Sequence, residues 1–318
     1  MKVARYIGGG QIAIEEDPVP TCPTGGLLVQ TEACGLCSGE LMAWYMDKKI
    51  PHVLGHEVVG KVIESQDIRF PVGSRVFPHH HAPCLNCEHC QKGNYVHCLQ
   101  WKRTKLIPGG MAEFFAVGPE NLNDTLDVGA LASEDAALIE PLACVIKAIR
   151  RAGVRQRSLD RCAVIGLGVM GLMHMTVLGD RAVGFDLNQS RRDWATRQGF
   201  RIGSEDEAAD TIFVCPGSQA AFDAAYRMIE PGGTIVMFAP LPPNQDLIVP
   251  NDAYFRDVNV VQSYSCGPDD TLEALEVIKT IAPWSERIVS DFVSLEELPE
   301  SYQMMKDAKI LKAMVRFR

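Results

Sequence analysis

The chain has 318 residues, of which 47% are hydrophobic, and a formal net charge of −9. That length suggests about two domains, and the apolar content is ample for two cores. The acidic balance argues against a nucleic-acid partner, which would require a basic face. No segment approaches ~18 consecutive apolar residues, so no membrane span is expected. The opening stretch MKVARYIGGGQIAIEEDP lacks the apolar run of a signal peptide.

Residues 1 to about 135 read as a β-rich region. The apolar runs LLVQTEA (27–33), VVGKVIE (58–64) and AEFFAV (112–117) are separated by Gly and Pro punctuation. Within this region CLNCEHCQKGNYVHC carries Cys84, Cys87, Cys90 and Cys98. Four thiolates at this spacing can close a tetrahedral zinc shell, with Gly93 and Asn94 suited to the turns. An iron–sulfur cluster also accepts four cysteines. A closed zinc shell leaves no open position, so this loop should stabilise rather than catalyse. His79, His80, His81, His89 and His97 lie nearby and read as surface or supporting groups. The chain has 11 cysteines, an odd number. Clustered thiols with no signal segment point to a reducing cytoplasm.

Around residues 133–150 the pattern becomes helical, with Ser133 as the expected N-cap. From 161 to 240 strand and helix alternate, the rhythm of a doubly wound parallel sheet. RCAVIGLG is a strand entering a glycine turn, VMGLMHMTVLG a short helix, and AVGFD a second strand ending in an acid. Gly166, Leu167, Gly168, Val169, Met170 and Gly171 form G-x-G-x-x-G, and Asp186 follows 20 residues after Gly166. The three glycines would allow the tight turn, the approach of a pyrophosphate and helix–strand contact. Asp186 would accept the ribose hydroxyls and repel the 2′-phosphate of NADP, which favours NAD. Arg191 and Arg192 follow closely. From about 269 an amphipathic helix is expected, capped by Asp270, with Leu272, Leu275, Ile278 and Ile281 on its apolar face. KAMVRF reads as a closing strand.

A second constellation is dispersed. ACGLCSGE and VLGHEVVG carry Cys37, His56 and Glu57, and LIEPLACV carries Glu140. A thiolate, an imidazole and a carboxylate with one open position suit a catalytic zinc. Cys34 rivals Cys37 for the thiolate.

GLCSGE, GHE, the four-cysteine loop, EPLACV and GLGVMG together resemble the zinc-dependent branch of the medium-chain dehydrogenase/reductase superfamily. Within it the chain looks most similar to polyol (sorbitol/L-iditol) and threonine 3-dehydrogenases. The resemblance implies an α/β chain with a GroES-like β-rich catalytic domain (1–140, structural zinc lobe 84–98). A Rossmann NAD-binding domain (141–268) and a C-terminal segment returning to the first domain (269–318) would follow. It implies a catalytic zinc on Cys37, His56 and a carboxylate from Glu57 or Glu140, and a structural zinc on Cys84, Cys87, Cys90 and Cys98. Arg191 matches an arginine common in NAD-using members. The implied reaction is hydride transfer between a secondary, polyol-like alcohol and NAD in a homodimer or homotetramer. A threonine-type amino alcohol is the alternative substrate, and a non-catalytic zinc- and NAD-binding sensor is the alternative class. Departures are also visible. The hydroxyl usual two residues after the zinc cysteine is replaced by Gly39, with Ser38 one place earlier. A histidine often found five residues after that cysteine is replaced by Met42. The first Rossmann helix looks short. Trp44, Tyr45 and Glu40 are the remaining candidates for a substrate cleft.

Overall fold

A computed structural model describes residues 1–154, 160–204, 207–281 and 283–317. The chain divides into two compact units, one of Met1–Ala143 with Cys266–Arg318, the other of Cys144–Ser265.

The first unit is mainly β. Its strands are β1 (Lys2–Gly8), β2 (Gln11–Glu16), β3 (Leu27–Gly35), β4 (His52–Val53), β5 (Glu57–Ser65), β6 (Arg75–Pro78), β7 (Phe114–Val117) and β8 (Thr125–Asp127). Alternating or continuous apolar residues drive these segments into sheets, because every second side chain shares one face. Val29, Val58, Val62, Val76, Phe115 and Val117 are buried together in one core. β1 pairs with β2 and with β4 in a small antiparallel sheet.

The second unit holds β9 (Cys162–Ile165), β10 (Ala182–Phe185), β11 (Ala209–Val214), β12 (Ile229–Met237) and β13 (Asn259–Gln262). They form one sheet in the order β10-β9-β11-β12-β13, and every pairing is parallel. The strand order reverses beside β9, the position where doubly wound sheets bind ligands. Beyond β10 the sheet is reduced to a single bridge, Gly184 to Ile202. The helices Val169–Leu178, Gln189–Arg197 and Gln219–Met228 connect the strands. The first has ten residues, in keeping with the short helix read from the sequence. Asn188 caps the second by accepting from Ser190 N–H at 2.9 Å.

The last segment supplies β14 (Asp291–Val293) and β15 (Ala313–Arg316), and β15 pairs antiparallel with β3. The C-terminal segment therefore completes the first unit's larger sheet, ordered β14-β15-β3-β5-β6-β8 with β7 also on β3.

Two local expectations need correction. Ser133 is the first residue of the short helix Ser133–Ala136 and makes no capping bond; Ala132 takes the cap position. Its hydroxyl instead donates to Glu32 at 2.8 Å and accepts from Arg75 at 2.7 Å. A long-range ion pair between Arg75 and Glu32 thus claims the side chain that a local rule assigned to the helix. In the helix Pro268–Ile281, Leu272 is 54% exposed, whereas Thr271, Ala274, Leu275 and Ile278 are buried. The apolar stripe is shifted by one position because the small Thr271 and Ala274 permit close packing. Asp270 lies inside the first turn and reaches back to accept from Gly267 N–H at 3.0 Å. Among the described residues no helix is long and apolar enough to cross a membrane.

Candidate functional site

Cys37 stands just beyond β3, as the N-cap of the single 3-10 turn Ser38–Leu41. Its sulfur accepts from Gly39 N–H at 3.3 Å, and Glu40 accepts from Cys37 N–H at 3.3 Å. This reciprocal capping pair fixes the sulfur's direction. Glu40, 3% exposed, also accepts from Gly55 N–H at 2.8 Å and lies 3.4 Å from His56 Nδ1. One buried carboxylate therefore ties the cysteine turn to the imidazole.

The GHE stretch needs its glycine. Gly55 has φ +93°, and a Cβ there would stand 2.5 Å from Met111 N and 2.7 Å from Cys34 Sγ. Gly35 plays a comparable part. It pairs across the sheet with Glu57, and a Cβ on it would lie 2.2 Å from the Glu57 carboxylate. The gap is filled by Lys312, which donates to Glu57 Oε2 at 2.5 Å and to Leu36 O at 3.2 Å. Both partners are about 1–2% exposed. Lys312 arrives because β15, which begins one residue later, pairs with the end of β3.

Donor atoms of Cys37, His56 and Glu57 lie within 4.8 Å of one another. Thiolate, imidazole and carboxylate are the donor types zinc accepts, and three of them leave one position of a four-coordinate shell open. Burial alone would depress the His56 pKa, but Cys37 and Glu40 beside it hold it well above the ordinary value. Burial raises the Cys37 thiol, opposed by His56. A cation in the trio would take over this compensation. Cys34 is outside the group and fully buried, and burial raises its thiol well above the usual range. Glu140 falls into a different trio, with His79 and Cys266. Ser38 is exposed. A Cβ on Gly39 would approach Cys37 Sγ to 3.5 Å, so the position without a hydroxyl is the one that faces the sulfur.

The four-cysteine loop closes on itself. Sγ atoms of Cys87 and Cys90 are 3.5 Å apart, those of Cys84 and Cys90 are 3.9 Å apart, and all four donors lie within 4.8 Å. A tetrahedron of Zn–S bonds of about 2.3 Å has edges of about 3.8 Å, so the loop matches a single ion. A multi-iron cluster would hold the sulfurs farther apart. Burial and the neighbouring thiols push Cys90 up to about 12. Burial also opposes ionisation of Cys98, but N–H donors from Cys84, Trp101 and Gln100 bring it down to about 6. His89 and His97 are exposed, whereas His79 is fully buried and is therefore not a surface group.

In the second unit the glycine turn follows β9. Gly166 has φ +91°, with Pro216 against it, and a Cβ on Gly171 would strike Gly166 O at 1.9 Å. The first glycine thus makes the turn and the third brings the helix onto the strand. Gly168 is the N-cap of the helix Val169–Leu178 and gives no side-chain cap bond. Leu167 N–H donates to Asp186 Oδ2 at 2.7 Å, and Asn188 N–H donates to Oδ1 at 2.7 Å. Arg191 lies 3.7 Å from Asp186, while Arg192 donates to Asp186 O and Gln189. The glycine turn, Asp186 and Arg191 are therefore one cluster. Val169 and Met170 form the first turn of the helix.

Sequence reading named Glu40 only as a cleft residue and gave Lys312 no role. The fixed distance of Glu40 from Cys37 was visible; the pairing of Lys312 with Glu57 depends on strands far apart in the chain.

Residues 23–125 match the alcohol dehydrogenase GroES-like domain. The chain is 29% identical to D-altritol 5-dehydrogenase of Agrobacterium fabrum, covering 94% of each chain. It is 26% identical to sorbitol dehydrogenase of Bacillus subtilis, covering 99% of this chain and 97% of the relative. Alcohol dehydrogenase TADH from Thermus sp. ATN1 shares the fold, with a TM-score of 0.85 at 24% identity and 100% of each chain covered. A donor trio and a four-cysteine loop thus stand on a chain that is similar over nearly its whole length to zinc-dependent alcohol and polyol dehydrogenases.

Proposed function

We propose that the protein oxidises a secondary, polyol-like alcohol with NAD, using zinc held by Cys37, His56 and Glu57. The observation that carries this reading is that trio, backed by Glu40 and Lys312. Bound there, zinc supplies Lewis acidity that polarises an alcohol oxygen. The protein's own groups do the rest. Glu40 orients His56 through Nδ1 and leaves Nε2 to face the metal. Lys312 holds the Glu57 carboxylate at the edge of the trio. The unfilled space at Gly39 admits water where relatives of this kind carry a hydroxyl, so the alcohol proton leaves through solvent.

For the cofactor, the turn Gly166–Gly171 and the uncapped helix N-terminus suit a pyrophosphate. Each oxygen of Asp186 already accepts one backbone N–H, and a carboxylate has about four lone-pair sites. It can therefore also take ribose hydroxyls, and its charge disfavours a 2′-phosphate. The relatives act on D-altritol and sorbitol by name, which supports a polyol. The proposed compartment is a reducing cytoplasm, where clustered thiols such as those of Cys84–Cys98 stay available to metal. The edge strand β13, with Tyr254 and Phe255 about 80% exposed nearby, supports assembly into a homo-oligomer.

The test is NAD reduction across polyols, amino alcohols and simple secondary alcohols, with Cys37→Ala as control and zinc measured in both. Turnover of polyols that disappears in Cys37→Ala is expected. Turnover of threonine-like amino alcohols alone would favour the alternative substrate, and NAD binding with no turnover of any alcohol would favour a sensor.

A further inference from the structure

The parallel sheet of the second unit is thinly covered on one side. In a doubly wound sheet a further strand, and then a helix, normally follow the second strand. Here that further strand is only the bridge of Ile202 to Gly184, and residues 203–208 alone separate Ile202 from the start of β11 at Ala209. A parallel crossover ordinarily takes about a dozen residues and includes a helix, so this one is too short to lay a helix on the sheet. At Gly203 the backbone itself lies on the strand side chains. A Cβ there would stand 2.4 Å from Val183 Cγ1 and 2.8 Å from Phe185 Cζ.

A cavity of about 210 Å³ opens against the same two side chains. Ala163 of β9 and Ala209 of β11 complete its apolar floor, and all four residues belong to one buried core. Its remaining wall is charged. Asp160 and Arg161 precede β9, Asp180 and Arg181 precede β10, and Arg201 and Glu207 stand opposite in the short crossover. The cavity therefore lies at the entry to β9 and β10, whereas the glycine turn lies at the exit of β9. An occupant would not compete with a dinucleotide on that turn. The volume is below the ~300–1,000 Å³ of pockets for drug-sized ligands, which excludes a nucleotide and suits a molecule of a few carbons.

The ion pairs decide its chemistry. Arg161 is held by Asp210 at 2.9 Å and Glu230 at 3.2 Å, and Arg201 pairs with Glu207. Asp160 accepts from the Thr211 hydroxyl at 3.1 Å. Among the described residues the side chains of Asp180 and Arg181 make no ion pair or hydrogen bond. One cation and one anion are thus left over beside an apolar floor. A guanidinium matches a carboxylate, a carboxylate matches an ammonium, and the floor matches a hydrocarbon side chain.

We infer that this cavity binds a small apolar α-amino acid. Its carboxylate meets Arg181, its ammonium meets Asp180, and its side chain lies on Val183, Phe185, Ala163 and Ala209. Affinity is millimolar, because the charged wall is open to water and screened by salt.

The experiment is methyl-resolved NMR of the full-length, zinc-loaded protein with saturating NAD, titrated with L-leucine. Methyl signals of Ala163, Val183 and Ala209 should shift along one saturable curve. Glycine lacks the apolar part, and isocaproate and isoamylamine each lack one charge; all three should bind at least about threefold more weakly. Arg181→Met should weaken leucine about tenfold or more, and Asp180→Asn about threefold or more, with the thermal unfolding midpoint unchanged. No saturable shift of these methyls up to the solubility limit of leucine overturns the site. Shifts confined to methyls elsewhere, or equal affinity in Arg181→Met, overturn it as well. Equal binding of leucine and isocaproate overturns the amino-acid assignment. Should a variant fail to fold, the ligand series on the parent decides.

Discussion

Lys312→Met probes how the fold supports the Cys37 trio. The ammonium lies 2.5 Å from the Glu57 carboxylate, and both are about 1–2% exposed. At an effective dielectric near 20, their raw Coulomb attraction is about 7 kcal/mol. Much of it offsets desolvation, yet removing one partner alone leaves a buried charge and costs about 3–5 kcal/mol. The cycle of Lys312→Met, Glu57→Gln and the double variant should be run in a Cys37→Ala background, so that metal at the trio contributes little. Urea unfolding followed by circular dichroism is the assay. Lys312→Met should lose about 3–5 kcal/mol, and the double variant should lose less than the sum of the singles by at least ~1 kcal/mol. With Cys37 restored and zinc loaded, the loss should shrink, because the cation takes over the neighbour's role toward Glu57. Additive losses in the cycle, or the same loss with and without Cys37 and zinc, would refute the reasoning.

Other outcomes follow from the same geometry. His174 is fully buried, with Nδ1 2.8 Å from Met170 O and rings of Phe213 and Phe238 against it. Burial brings its pKa down to about 4 from 6.5. The unfolded chain therefore binds a proton first, and about 3 kcal/mol of stability should be lost as pH falls from ~6.5 to ~4. Urea midpoints against pH should flatten across this window in His174→Met; an unchanged slope would count against it. Asp186→Ser should raise the NADP-to-NAD ratio of kcat/KM at least tenfold, or ~1.4 kcal/mol of barrier, whereas an unmutated protein that uses both cofactors equally would contradict the NAD preference. Ser38→Ala should change turnover by less than about tenfold, well short of the 10²–10⁴ of a general acid–base group. A larger loss with zinc retained would make Ser38 the relay.

Local rules reached far into this chain. The parallel β–α rhythm, the glycine turn with Asp186 and the four-cysteine spacing are encoded within short windows. A turn, a helix start or a closed metal loop is built by residues that are already neighbours. Gly166 needs its positive φ for the turn itself, and Gly171 its missing Cβ because the nearby Gly166 carbonyl lies against it. Capping was less secure. Ser133 looked like a cap, but the distant Arg75–Glu32 pair took its hydroxyl.

The family motifs named Cys37, His56 and Glu57, but spacing alone could not join them, because the register of β3 against β5 places Gly35 opposite Glu57. Lys312 is 255 residues from its carboxylate partner, and no local pattern marks a lysine as the buried neighbour of a metal site. His79 shows the same limit. In the sequence it is one of three consecutive histidines beside a zinc loop, where a surface place and a supporting place read alike. Tertiary structure buries it between Asp124 and Cys266. Sequence by itself determined the donor types and the local turns, which depend on neighbours in the chain. Only the tertiary structure decided which donors share a site and which charge opposes which, because burial and strand pairing set those distances.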